Sequence, residues 1–398
     1  MISFDLAPNA RRALRLTREL NLKTVRPITR YYDEHEHEEI SAEVIEAISK
    51  GNEAIAWASF PKEGEKQEGP GLMGVITGEE RNWGDSALSM SATNSFVGNI
   101  VIGITGTPEQ KEHAAGKYAA FCMTEPCCGS DTAAIQTTAE LDEKTNEWVI
   151  NGEKIFVTGG RRCEMAVVWA SLDRSLGRAA MKPFLVDKGT PGMTVTKLEH
   201  KMGFRASDTA AIIFDNCRIP YENVIGNPEI VQKTGSGSAG FASAMKTFDG
   251  SRPAVAATAL GIGQAALDFA KEILEKEGIT VPYDKGRHEL TSVQKDLLDM
   301  EAALDTARLL IWRSAAMLDT GERNSLEASM GKSKAGRTAT LVTQKCVELL
   351  GPLGYSQEYL AEKFMRDSKI TDIFEGTGQI NLLIIARSIL GYSRAMLK

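Results

Sequence analysis

Between Phe121 and Pro220 the chain changes texture, and that change constrains the fold more than any other feature. Short runs of β-formers occur there at 148–150, 165–169, 183–186 and 211–214, separated by turn residues such as Lys144-Thr145-Asn146 and Asn151-Gly152. No helical period links these runs, which predicts an antiparallel sheet or barrel. On either side the pattern is helical. Ile40, Val44, Ile45 and Ile48 recur at helical spacing, and Ser41 with Glu43 and Glu46 marks a helix start. The Pro- and Gly-broken segment 61–78 reads as loop. After a Gly/Ser-rich linker at 234–240, Pro253 fits the first turn of a helix carrying Val255, Leu260, Ile262, Ala266 and Phe269. The expected fold is multi-domain α+β. It has an N-terminal helical domain over 1–118, a middle antiparallel β domain over 119–232 and a C-terminal helical bundle over 233–398.

A chain of 398 residues, 42% hydrophobic and 25% charged, can bury its own core without disulfide or metal staples. Its net charge of −7 gives no overall field for nucleic acid. The N-terminal stretch has no continuous apolar core and reads as no secretory signal. The uncharged stretch 86–108 is interrupted by Ser89, Ser91, Asn94, Ser95 and Asn99. Polar groups are costly in lipid, so it reads as a buried core helix and not a membrane span. The six cysteines form no C-x-x-C pair, which fits reduced thiols in a cytoplasmic protein.

Three motifs are set aside. Gly235-x-Gly237-x-x-Gly240 follows Gln232-Lys233-Thr234, which is no strand, so it reads as linker and not as a dinucleotide fingerprint. Gly331-Lys332-Ser333 lacks the phosphate-loop glycine, since position 326 is Leu326. His35 and His37 lie two apart and do not share a helix face, so 34–39 reads as a solvated charged run and no metal site is expected.

The stretch Met123-Thr124-Glu125-Pro126-Cys127-Cys128-Gly129-Ser130-Asp131 is richer. Backbone N–H groups near a glycine, with a serine hydroxyl, suit phosphate or carbonyl oxygens. This motif stands in a series. Gly106-Thr107-Pro108-Glu109-Gln110-Lys111 precedes it. Asn151 to Gly159 (NGEKIFVTG), KMGFRASDTAAIIFDNCRIPYENVIG from Lys201, FDGSRPAVAATALG from Phe248, GPLGY from Gly351 and DIFEGTGQI from Asp372 follow. In content and order, from Gly106 to Ile380, the series resembles the acyl-CoA dehydrogenase family. That resemblance implies a helical domain, a β domain and a four-helix bundle.

It also implies FAD as hydride acceptor, an acyl-CoA substrate and an electron-transfer flavoprotein as electron acceptor. Glu375 occupies the position of the proton-abstracting base, with Gly376 at the substrate. Some members carry the base on the helix near Arg252, but here the neighbouring residue is Ser251. By resemblance, Thr124 and Thr158 meet the flavin's polar edge, Phe156 packs on its ring, and Phe121 and Gly129 line the cofactor. Ser130 meets the FAD diphosphate and the substrate. Thr377 and Gln379 reach the AMP half, Gln294 the adenine, and Gly351 and Gly354 a neighbouring FAD-facing turn. Asp249 and Arg252 match a pair beside the acyl-CoA.

The chain departs from the family where an Arg-x-Phe-Gly element usually clamps a diphosphate across a subunit interface. It has Glu275-Lys276-Glu277-Gly278 there, leaving Lys276, Lys285 or Arg287 as substitutes. A second departure puts Glu348 where a glutamine is usual. A homo-oligomer, dimer or tetramer, or a hetero-oligomer with a related subunit is expected. An oxidase, a non-oxidative eliminating enzyme and a non-catalytic partner subunit stay open as alternatives to the dehydrogenase.

Overall fold

The computed structural model describes residues 5–93, 97–230, 239–392 and 396, with only the backbone described over 239–249. Helices come first: α1 (Pro8–Leu20), α2 (Arg26–Glu34), α3 (Ala42–Ser59), α4 (Pro70–Gly84), α5 (Ser86–Ser91), α6 (Val97–Thr105) and α7 (Pro108–His113). Strands follow: β1 (Ala119–Cys122), β2 (Thr138–Asp142), β3 (Glu147–Thr158), β4 (Met165–Ser171), β5 (Met181–Asp187), β6 (Met193–Leu198) and β7 (Thr209–Pro220). Helices then return as α8 (Ala239–Lys276), α9 (Ser292–Asp319), α10 (Ser325–Leu350), α11 (Pro352–Tyr355), α12 (Ala361–Ser368) and α13 (Gly378–Leu390). The chain divides into two compact units. One holds Met1–Ala92, Met202–Ala206 and Asp249–Lys398, the other Thr93–Lys201 and Ser207–Phe248.

In the helical unit the core runs along α8, α9 and α10. Leu297, Met300, Leu304, Ala307 and Ile311 recur every three or four residues on α9 and are all buried, against Leu260 and Leu267 of α8 and Val342 and Cys346 of α10. Each large side chain buried this way contributes about 1.5–3 kcal/mol. Gly263 brings α8 close to its neighbours, since a Cβ there would lie 2.8 Å from Leu304 and 3.6 Å from Ala339. The stretch Gly250–Lys276 has the length and apolarity of a membrane span, but 72% of its most apolar window is buried, which makes it a core helix.

Beneath this core lies a buried ion cluster. The Lys363 ammonium donates to Asp85 at 2.7 Å and to Asp367. Asp85 also caps α5, accepting from the Leu88 N–H at 2.8 Å. Asp367 accepts from the Phe204 N–H at 2.7 Å. Burial works against the Lys363 charge, but Asp367 and Asp85 more than offset it and hold its pKa above the usual lysine value.

The second unit is built on a seven-stranded sheet ordered β1-β4-β2-β3-β7-β6, with β5 paired to β4. The β2–β3, β3–β7, β4–β5 and β6–β7 pairs are antiparallel, as expected from the turn spacing. The β1–β4 pair and the short β2–β4 contact are parallel instead. The reason is connectivity: the β2–β3 hairpin intervenes between β1 and β4, and so long an excursion allows parallel pairing.

Four local expectations are corrected. The segment 61–78 is not all loop, because α4 starts at Pro70. A proline at the first helical position begins a helix and does not break it, and Asp319 accepts from the N–H groups of Gly71 and Leu72 at 2.6 and 3.0 Å. The stretch 86–108 forms two helices, α5 and α6, and not one; α5 is capped by Asp85 and ends at Ser91. Pro253 lies inside α8, whose backbone is already helical from Ala239; Gly235 and Gly237 lie outside the described residues. Asn151-Gly152 is no chain reversal but a bulge within β3, where Gly152 takes φ +152° and its missing Cβ makes room for Thr137.

Candidate active site

After α12 a 3-10 turn, Lys369–Asp372, leads into residues 373–377. Thr377 then caps α13, its hydroxyl accepting from the Ile380 N–H at 3.2 Å. Between them the backbone turns left-handed twice, at Glu375 (φ +54°) and Gly376 (φ +90°). Glycine adopts this conformation freely. A glutamate there costs about 1–2 kcal/mol, so the turn needs outside support. The Gly376 carbonyl supplies the grip. It accepts from Lys332 Nζ at 2.6 Å and from Asn381 Nδ2 at 2.9 Å, and Asn381 also donates to the Thr377 carbonyl at 3.0 Å. The Phe374 ring meets Phe204 edge-on at 6.0 Å.

Glu375 is half-buried, and its Oε2 is buried with no hydrogen-bond partner among the described residues. Its backbone N–H likewise meets no described acceptor. Burial pushes the carboxyl up to about 7, against the opposing pull of Lys332 and Arg252. Lys332, 1% exposed, is pushed the other way by burial, down to about 8, while Asp372 and Glu375 resist that shift. Arg252, 4% exposed, adds a second cation beside both groups. The arrangement is a desolvated carboxylate that can hold or release a proton near neutrality, with an open N–H at the same residue.

The residues expected to meet the flavin lie on the β unit. Phe121 is half-buried on β1, its ring 6.4 Å from that of Trp169. The 123–125 loop is anchored by the buried Lys154, which donates to Glu125 at 2.7 Å and to the Met123 carbonyl at 3.2 Å. Glu125 also accepts from the N–H groups of Gln136 and Thr137. With its carboxylate committed in this way, Glu125 has little to offer a metal alongside Cys127 and Cys128. The Thr124 carbonyl accepts from the Ile155 N–H at 2.9 Å, which sets Thr124 beside β3 just before Phe156. Phe156 sits at φ +54° with its ring 60% exposed, although Lys154 and Val157 on the same strand are buried. The hydroxyls of Thr124 and Thr158 make no hydrogen bond to a described residue, and Gly129 and Ser130 are exposed at the end of the loop. An open aromatic face with unspent hydroxyls nearby fits the ring and polar edge of a flavin.

The remaining candidates fall elsewhere. Arg287 is exposed and bidentate on Asp299 at 2.6 Å. Gln294 closes a capping box with Thr291 at the start of α9, and its Nε2 donates to the Thr280 carbonyl. Gly351 ends α10 at φ +53°, and Gly354 packs where a Cβ would lie 2.6 Å from the Val347 carbonyl. Gln379 is exposed in the first turn of α13, and the Asp249 side chain lies outside the described residues. In the helical unit the structure thus gathers Arg252, Glu375, Gly376 and Thr377, and adds Lys332, Asp372 and Asn381, which sequence reasoning passed over. A signal for Lys332 was present. It shares one face of α10 with the buried Ala328, Ala335 and Ala339, and a lysine on an apolar helix face needs a buried partner.

Comparison with known proteins follows this geometry. The acyl-CoA dehydrogenase middle-domain family matches residues 120–217, and the acyl-CoA dehydrogenase C-terminal-domain family matches residues 238–390. The mitochondrial short-chain specific acyl-CoA dehydrogenase of Sus scrofa is 42% identical over 294 residues, covering 72% of this chain and 67% of that protein. The structure of butyryl-CoA dehydrogenase from Megasphaera elsdenii aligns with a TM-score of 0.82 at 30% identity, over 98% of this chain and 100% of the other. A chain in the structure of the electron transferring flavoprotein of Acidaminococcus fermentans aligns with a TM-score of 0.81 at 30% identity, over the same shares.

Proposed function

The chain belongs to the acyl-CoA dehydrogenase family, and from that premise we propose that it oxidises a short acyl-CoA thioester to its 2-enoyl thioester with Glu375 as the base. It is an FAD-dependent enzyme, and FAD when bound supplies the acceptor for the hydride leaving the β carbon. The carrying observation is the buried, unpartnered Oε2 of Glu375. A carboxylate stripped of water is a stronger base than one in solution, once ionised. Glu375 takes the proton as the α C–H bond breaks. The charge that develops on the thioester oxygen meets the open N–H of the same residue. Gly376 lets the backbone approach the acyl group without a side chain in the way, and Arg252 holds positive charge beside the site. On the β unit, Phe156, Thr124 and Thr158 would hold the flavin ring, and Gly129 and Ser130 its phosphates.

The pig and Megasphaera relatives support a short acyl chain, and the alignment with the Acidaminococcus structure supports an electron-transfer flavoprotein as partner. Anaerobic bleaching of the flavin by a panel of straight-chain acyl-CoAs tests the reading. Butyryl-CoA bleaches fastest on this account. A protein that binds no FAD, or one bleached only by long or branched chains, contradicts it.

The pH dependence follows from the Glu375 shift. The base must be ionised, so the bleaching rate at low substrate falls about tenfold per pH unit below pH 7 and levels off just above it, before the Lys332 ammonium, held down to about 8, loses its proton. Stopped-flow traces between pH 5 and 9 check this. An inflection near 4 would place the base in solvent.

A further inference from the structure

Glu375 sits on strained, left-handed backbone, held through the carbonyl of Gly376. The Gly376 carbonyl accepts from Lys332 and from Asn381, and of these two Lys332 is the charged one. It comes from α10, which packs against the 3-10 turn. Gly336, one turn along the same helix, packs tightly on that turn, where a Cβ would lie 3.0 Å from the Asp372 Cα and from the Thr371 carbonyl. The helix and the turn are therefore in fixed register, and the Lys332 ammonium cannot swing to water without opening it.

We propose that Lys332 is the positioning residue for the base: its ammonium clamps the Gly376 carbonyl, holds Glu375 in its left-handed turn and faces the carboxylate with a positive charge. This rests on the reading of Glu375 as base. The charged groups around that carboxylate are Lys332 on α10, Arg252 on α8 and Asp372 on the turn itself. Lys332 thus joins the backbone clamp to the charge.

The two roles separate experimentally in the FAD-loaded enzyme. Lys332→Met removes both. Its plateau bleaching rate falls at least about tenfold, and its pH inflection moves up by about one unit, as expected when a neighbouring opposite charge is lost. Lys332→Arg keeps the charge but replaces a point donor with a planar fork, so the inflection stays near the wild-type value while the plateau falls. Infrared titration of the carboxyl C=O band, assigned by its absence in Glu375→Gln, reads the same shift without turnover. A Lys332→Met enzyme whose plateau, inflection and carboxyl band all match wild type overturns the proposal. If Lys332→Met does not load flavin, Lys332→Arg decides: a wild-type plateau there overturns the clamp. A Glu375→Gln enzyme with full activity removes the base reading instead, a result that neither lysine variant can produce.

Discussion

Glu375→Gln lowers the rate of substrate-driven flavin bleaching by about 10²–10⁴-fold, the range expected when a general base is removed. Glutamine keeps the length and shape of glutamate and accepts the same left-handed turn, so the lysine and asparagine grip on Gly376 survives. What disappears is the basicity that receives the α proton, since an amide oxygen is far less basic than a carboxylate. The loss therefore falls on the rate of the chemical step and not on flavin content, and the open N–H at 375 still meets the thioester oxygen. Rapid mixing with butyryl-CoA under anaerobic conditions, with the flavin absorbance read alongside, separates the two. An unchanged rate places the base on another residue.

The second large effect concerns stability. Lys363→Met leaves Asp85 and Asp367 buried without their shared cation. Breaking a buried ion pair by removing one partner costs about 3–5 kcal/mol, because the remaining charge is stranded in low dielectric. Here the stranded groups also cap α5 and hold the Phe204 N–H, so the loss reaches two further segments. Urea unfolding of the helical transition is expected to show a lower midpoint with an unchanged slope. Lys276→Ala, which removes only the exposed pair with Glu272, is expected to leave the midpoint nearly where it was. If the two variants unfold alike, the buried cluster contributes no net stability.

Much of this architecture was legible in the residue pattern, for identifiable reasons. The strands found by texture, at 148–150, 165–169, 183–186 and 211–214, are those with buried β-branched or aromatic residues, inside β3, β4, β5 and β7. The edge strand β6 was not legible because its residues are mostly exposed and the alternation of Met193 and Val195 with Thr194 and Thr196 breaks at Lys197. Ser41 was readable as a helix cap because its hydroxyl accepts from Val44, a local event. The start of α4 was not readable, because Asp319, the side chain that caps it, lies far along the chain. At the site, Glu375 was legible through the resemblance of the segment from Asp372 to Ile380 to the family's base-bearing stretch. Lys332 did not, because its partner carbonyl is 44 residues away and a lone lysine on a helix ordinarily faces water. Burial that depends on long-range packing is what a single sequence hides.

Exchange of the α hydrogens of acetyl-CoA into D2O tests the assignment of the base most directly, because that thioester has α hydrogens and no β hydride to transfer. Mass spectrometry is expected to show deuterium entering acetyl-CoA with the wild-type enzyme and background exchange with Glu375→Gln. Exchange at the wild-type rate in the variant would contradict the account.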